Sequence, residues 1–161
     1  MRFALSILRT LSALMISVTL LMFANSMFST LLALRANIEN YSNEMVGLMA
    51  SAYFFGFALG TFQSGPLINR IGHIRTFAAL SAIAAASAMM VLIIPDPWAW
   101  VALRAIMGAA SAGLFVVVES WLNNRATNNS RGILLSIYIV IGYTASAVGQ
   151  QAIKFGDPAS F

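Results

Sequence analysis

Five apolar runs constrain this chain more than anything else in it. They occupy residues 11–34, 45–64, 76–94, 98–122 and 132–153. About 20 apolar residues, each rising 1.5 Å along a helix, are needed to cross the hydrocarbon of a bilayer. All five runs reach or approach that length, and only the fourth contains charged side chains. Lipid offers the backbone no hydrogen-bond partner, so each run must satisfy its own amides as a helix. The expected fold is all-α: a polytopic membrane helix bundle of about five transmembrane helices.

Composition fits lipid as the solvent. Hydrophobic residues make up 60% of the chain and charged residues 9%, against about 25% charged in an ordinary soluble domain. The net charge of +4 is spread over scattered basic residues, without the patch or motif that nucleic-acid binding requires. There is no cysteine and one histidine, which excludes disulfide frameworks and thiolate metal sites. No nucleophile–base set appears. The segment from Gly65 to Gly72 lacks the Gly-Lys-Ser/Thr ending of a phosphate loop. Neither an enzyme nor a cofactor is expected.

The first run is too long for the h-region of a cleaved signal peptide, about 7–15 residues. Basic residues mark the cytoplasmic side of membrane proteins. With the N-terminus inside, Arg2, Arg9, Arg70, Arg75, Arg125 and Arg131 lie in the cytoplasm, and Arg35 and Lys154 lie outside. The chain is expected to be multi-pass, with a cytoplasmic N-terminus. Asn40-Tyr41-Ser42 and Asn128-Asn129-Ser130 match the glycosylation sequon and read as chance matches in polar loops.

Asp96-Pro97-Trp98 has the punctuation of a helix start, with Asp as N-cap and Pro in the first turn. The same signal returns at Asp157-Pro158-Ala159-Ser160-Phe161. Residues 1–161 are therefore expected to be a truncated N-terminal transmembrane domain, a fragment stopping where a sixth helix would open.

Arg104 and Glu119 are the charges inside a span, both in the fourth. Intramembrane charges are costly and are functional candidates by default. Helical rise separates these two by roughly 22 Å, so they cannot pair with each other. Arg104 reads as a cation facing a central cavity, or as a side chain snorkelling outward. Glu119 reads as a protonatable coupling site, or as the gate ion pair with Arg70 or Arg75. Asn25 and Ser29 share a face of the first span, as a cavity wall or an interhelical bond. Gly56 and Gly60, and Gly108 with Ala112, have small-xxx-small spacing suited to close helix packing. Gly142 and Gly149 recur at seven, as do Tyr143 and Gln150, giving one glycine seam and one polar seam. The phenylalanines of Tyr53-Phe54-Phe55-Gly56-Phe57 read as lipid-facing or core filler.

Gly65-Pro66-Leu67-Ile68-Asn69-Arg70-Ile71-Gly72-His73-Ile74-Arg75 is a basic, glycine-punctuated segment between the second and third spans. It resembles the signature loop of the major facilitator superfamily, Gly-x-Leu-x-Asp-Arg-x-Gly-Arg-Arg/Lys. Gly65, Leu67, Arg70 and Gly72 match. Asn69 replaces the Asp, His73 replaces an Arg, and Arg75 restores a basic residue just beyond the pattern. Arg104-Ala105-Ile106-Met107-Gly108 resembles the family's Arg-x-x-x-Gly motif of helix four. The fifth run lacks the proline-containing glycine motif seen in many drug antiporters of the family. Val116-Val117-Val118-Glu119-Ser120-Trp121-Leu122, followed by Arg131-Gly132, resembles the YcaD-like branch.

The resemblance covers nearly the whole chain but only about five helices of a twelve-helix fold. It implies a secondary transporter, here its N-terminal portion, that moves a small solute by alternating access at a midplane site between two halves. It places helices one and four along the cavity, helices two and five at its gates and helix three outside. Asn25, Ser29, Arg104, Gly108, Tyr143 and Gln150 become cavity candidates. Gly65, Leu67, Asn69, Arg70, Gly72 and Arg75 form the gating loop, whose Asn69 lacks the family's charge. The implied partners are the lipid bilayer, a small-molecule solute, and missing C-terminal helices or a partner chain. From another class, the chain reads as a small helical membrane protein that binds a partner through its small-residue faces.

Overall fold

A computed structural model describes residues 2–126 and 130–155, with the side chains of 2–11 and 125 outside the description. Asn128, Asn129 and the Asp157-Pro158-Ala159-Ser160-Phe161 signal lie outside the described residues. The elements are α1 (Arg2–Ile38), α2 (Asn43–Ile71), α3 (His73–Ile93), α4 (Pro97–Arg125) and α5 (Arg131–Ala152), closed by a 3-10 turn at Ile153–Phe155. Five helices are long and apolar enough to cross a membrane. The protein is a multi-pass, all-α membrane protein. The helices fall into two packing units, residues 1–35 with 122–161, and residues 36–121.

Seven hydroxyl side chains within the helices are satisfied locally, where lipid offers no partner. Ser17, Thr19, Thr30, Ser51, Thr61, Ser87 and Ser136 each donate to the carbonyl four residues back, at 2.8–3.1 Å. This back-bonding lets a polar residue sit in a span without a partner on another helix.

The helix ends are closed by named residues. Asn40 adopts φ +59°, the left-handed conformation that terminates helices. The Tyr41 amide then donates to the Ala36 carbonyl at 2.9 Å. Ser42 caps α2 by accepting from the Met45 amide at 3.3 Å. Both polar members of the first sequon match are thus helix caps. Asp96 accepts from the Ala99 amide at 2.7 Å and Pro97 opens α4, as the punctuation predicts.

The junction of α2 and α3 departs from expectation. The sequence predicts a loop from Gly65 to Arg75. Instead α2 continues through Pro66 to Ile71, and α3 begins at His73. Gly72 alone separates them, with φ 84° and ψ 162°. Its amide donates to the Ile68 carbonyl at 2.8 Å, and the Thr76 hydroxyl donates to its carbonyl at 2.8 Å. Proline removes one helical hydrogen bond. In lipid that single loss is tolerated, whereas unwinding the turns around it would expose several amides.

In the unit of residues 36–121, α2 and α4 pack through small residues. A Cβ on Gly56 would strike the backbone of Ala105, and one on Gly60 the backbone of Ala109. Close approach of this kind is what drives association where no water is available to drive burial. A Cβ on Gly113 would meet Leu80 of α3 and the Ser64 hydroxyl of α2. Of the five helices α4 is the most buried, at 61% of its most apolar stretch against at most 22% elsewhere. At the start of α4 Trp100 donates to the Ile94 carbonyl at 2.7 Å and meets Tyr41 edge-on, with centroids 5.3 Å apart. In the other unit, α5 lays Gly142 against Met22 and Gly149 against the Phe23 carbonyl of α1. Ser26 of α1 donates to the Ser146 carbonyl at 2.9 Å.

Candidate functional site

Arg104 is 6% exposed, and its guanidinium carbon stands 4.3 Å from the ring centroid of Tyr53 on α2. Tyr53 is 7% exposed. A cation held over an aromatic face is attracted by the ring quadrupole, by about 2 kcal/mol or more when desolvated. Four residues along α4, Gly108 lies against the Tyr53 backbone. A Cβ there would strike the Tyr53 carbonyl. Arg104, Gly108 and Tyr53 therefore form one cluster, the arginine fixed by the ring and the ring's backbone fixed by the glycine. Arg104 does not snorkel to the surface.

The sequence reading of this aromatic run concerned its phenylalanines and did not single out Tyr53. Phe54 and Phe55 are exposed, at 69% and 65%, while Tyr53 turns inward. The available signal was register: Tyr53 precedes Gly56 and Gly60 on the same helical face.

Asn25 and Ser29 are half-buried on α1, on either side of the Ser26–Ser146 bond in sequence. On α5 the two expected seams separate cleanly. Gly142 and Gly149 are buried against α1, whereas Tyr143 and Gln150 are exposed.

The signature segment is mostly the last two turns of α2. Asn69 and Arg70 are exposed there, Leu67 is half-buried, and Arg75 is exposed in the first turn of α3. An added Cβ at Gly65 meets nothing within 4 Å, so packing does not require glycine at that position. His73, where the family signature has an arginine, places Nε2 3.0 Å from the Ser120 hydroxyl of α4. Glu119, adjacent to Ser120, is exposed. Among the described residues, no group of three His, Cys, Asp or Glu side chains is placed to hold a metal ion.

The decisive comparison is with protein families. The model of the Major Facilitator Superfamily matches residues 14–151. The chain belongs to the major facilitator superfamily. An uncharacterized MFS-type transporter of Enterobacter sp. (strain 638) is 35% identical over 91% of this chain and 38% of its own length. The uncharacterized MFS-type transporter YcaD of Escherichia fergusonii is 34% identical, again over 91% of this chain and 38% of its own length. This member of the superfamily thus spans about two fifths of the curated relatives it matches. No solved structure matches. On this family's frame, the Arg-x-x-x-Gly motif is the pair of α4 residues that grips Tyr53, and the signature segment is the one-residue joint at Gly72 with the helix ends around it.

Proposed function

We propose that this chain is the N-terminal portion of a secondary transporter that moves a small solute across the bacterial inner membrane by alternating access. The observation that carries the reading is Arg104. A permanent cation in a membrane-spanning helix is expensive, and here it is kept, 6% exposed and stacked on Tyr53. A charge of that kind suits a group that binds an anionic or zwitterionic solute or biases a neighbouring proton site. In this reading Asn25, Ser29, Arg104, Tyr143 and Gln150 are the candidates for the solute path, and Gly108 serves by seating α4 on the Tyr53 backbone. The N-terminus is cytoplasmic, and the remaining helices come from the part of the family fold that this chain does not span. The protein is a carrier and not an enzyme.

The segment around Gly72 acts as the cytoplasmic gate. Glu119 pairs with Arg70 or Arg75 there in the closed state. The His73–Ser120 contact supports this, because it holds the start of α3 against the turn of α4 that carries Glu119. Gly56, Gly60 and Gly108 pack within the chain, which leaves those small-residue faces unavailable to an outside partner and weighs against a partner-binding module.

Uptake of a panel of radiolabelled organic anions and zwitterions by cells expressing the full-length gene tests the proposal. Arg104→Ala should abolish uptake of the transported solute while membrane insertion and helicity persist. Unchanged uptake with Arg104→Ala would remove Arg104 from the solute path.

A further inference from the structure

Between α2, α3 and α4 runs an apolar groove of about 230 Å³ that ends, at Leu67, in the segment assigned to the gate. Gly60, Gln63 and Leu67 form its α2 wall, Leu80 and Ile83 its α3 wall, and Ile106 reaches it from α4. It is open at the side, where Ile83 is 44% and Ile106 46% exposed. Counting 1.5 Å per residue back from Ile71, the groove lies roughly 6 to 16 Å below the α2–α3 joint. The hydrocarbon of one leaflet is about 15 Å deep. The groove therefore fits within the depth of a single leaflet.

Two polar features give the groove a direction. Arg70 is exposed one helical turn beyond Leu67, on the same stripe of α2, with Arg75 exposed at the start of α3. Both stand at the water end of the groove. Gln63 is exposed inside the groove wall and has no hydrogen-bond partner among the described residues. An amide left bare in hydrocarbon is costly, and an ester carbonyl would accept from it. An apolar slot, a donor within it and a cation at its mouth match one occupant: an anionic phospholipid.

We infer that α2, α3 and α4 form a binding site for a single anionic phospholipid, with one acyl chain in the groove, its ester oxygen on Gln63 and its phosphate on Arg70, Arg75 contributing to the field.

The test uses the purified chain in a mild detergent with equimolar dioleoylphosphatidylglycerol and dioleoylphosphatidylcholine, and counts bound lipids by native mass spectrometry. The expected result is one retained lipid, the phosphatidylglycerol form at least ten-fold in excess. Ile83→Trp, a bulky change at an exposed wall position, should cut retention at least ten-fold, while Leu92→Trp on the same helix away from the groove leaves it unchanged. Arg70→Gln should keep a lipid bound and erase the headgroup preference. Equal retention by Ile83→Trp and the parent chain would overturn the site. So would the parent chain showing no preference between the two lipids. The chain has no cysteine, so Ile106→Cys gives a unique label. Efficient disulfide dimers that exclude lipid would show a second copy in the groove and overturn the proposal as well.

Discussion

Gly60 and Ala109 meet with no room for a side-chain carbon between them: a Cβ on Gly60 would overlap the Ala109 backbone. With Gly56 on Ala105 one turn away, this contact sets the distance between α2 and α4. Gly60→Leu and Gly56→Leu should force the helices apart, and even Gly60→Ala should cost about 1–3 kcal/mol through overpacking. Unfolding in mixed micelles, followed by helicity, would measure it. A Gly60→Ala chain as stable as the parent would refute the contact.

The opposite outcome is expected at Gly47, where an added Cβ meets nothing within 4 Å. The residue is helical and exposed, so Gly47→Ala should stabilise by up to about 1 kcal/mol through helix propensity. Gly65→Ala should gain less in the same assay or lose stability: its surroundings are open apart from its chain neighbours, but a Cβ on the helical residue before Pro66 meets the proline ring. Loss of transport without loss of stability in a full-length Gly65→Ala carrier would assign that glycine to movement, not to packing.

Gly72 adopts φ 84° with ψ 162°, a region essentially reserved for glycine. Gly72→Ala should cost about 1–3 kcal/mol. Gly72→Asn should be no better, since asparagine relieves only the left-handed helical region, which this ψ excludes. Rescue by asparagine in a thermal melt would place the residue in a different conformation.

The stacking of Arg104 on Tyr53 is open to a double-mutant cycle. Tyr53→Leu, Arg104→Met and the pair together should give a coupling of about 2 kcal/mol. Tyr53→Phe should retain most of that coupling, because the ring face does the holding. Additive single effects in the same unfolding assay would show that the two side chains are merely adjacent.

Asp96 closes the first turn of α4 through the Ala99 amide, 2.7 Å away. Asp96→Ala should destabilise by about 1 kcal/mol, and Asp96→Asn by much less. Equal loss from both would point to the charge and away from the cap.

Much of this architecture was legible in the residues. Apolar length located the five helices, and punctuation located the start of α4. Spacing identified Gly56, Gly60 and Gly108 as packing positions, which the contacts with Ala105, Ala109 and Tyr53 bear out. Three features were not legible. Helical periodicity says which residues share a face but not what lies opposite, so Tyr53 was hidden within an aromatic run. The segment from Gly65 to Arg75 reads as a loop because it is basic and glycine-punctuated, yet α2 runs on through Pro66 to Ile71. On α5, Tyr143 and the glycine before it are neighbours in sequence, and only packing against Met22 decided which of them turned inward.

The joint at Gly72 has a mechanical meaning. A flexible loop between two helices absorbs small displacements, but a single residue has only two torsions in which to absorb them. Its amide is tied back into α2 and its carbonyl holds Thr76 of α3. There is no slack at this end of the pair. A tilt of α2 must be taken up by those two angles or passed directly to α3, and from there to Ser120 through His73. What the sequence presents as a connecting loop is a single-residue joint, through which a lean of α2 is passed to α3 with no slack between them.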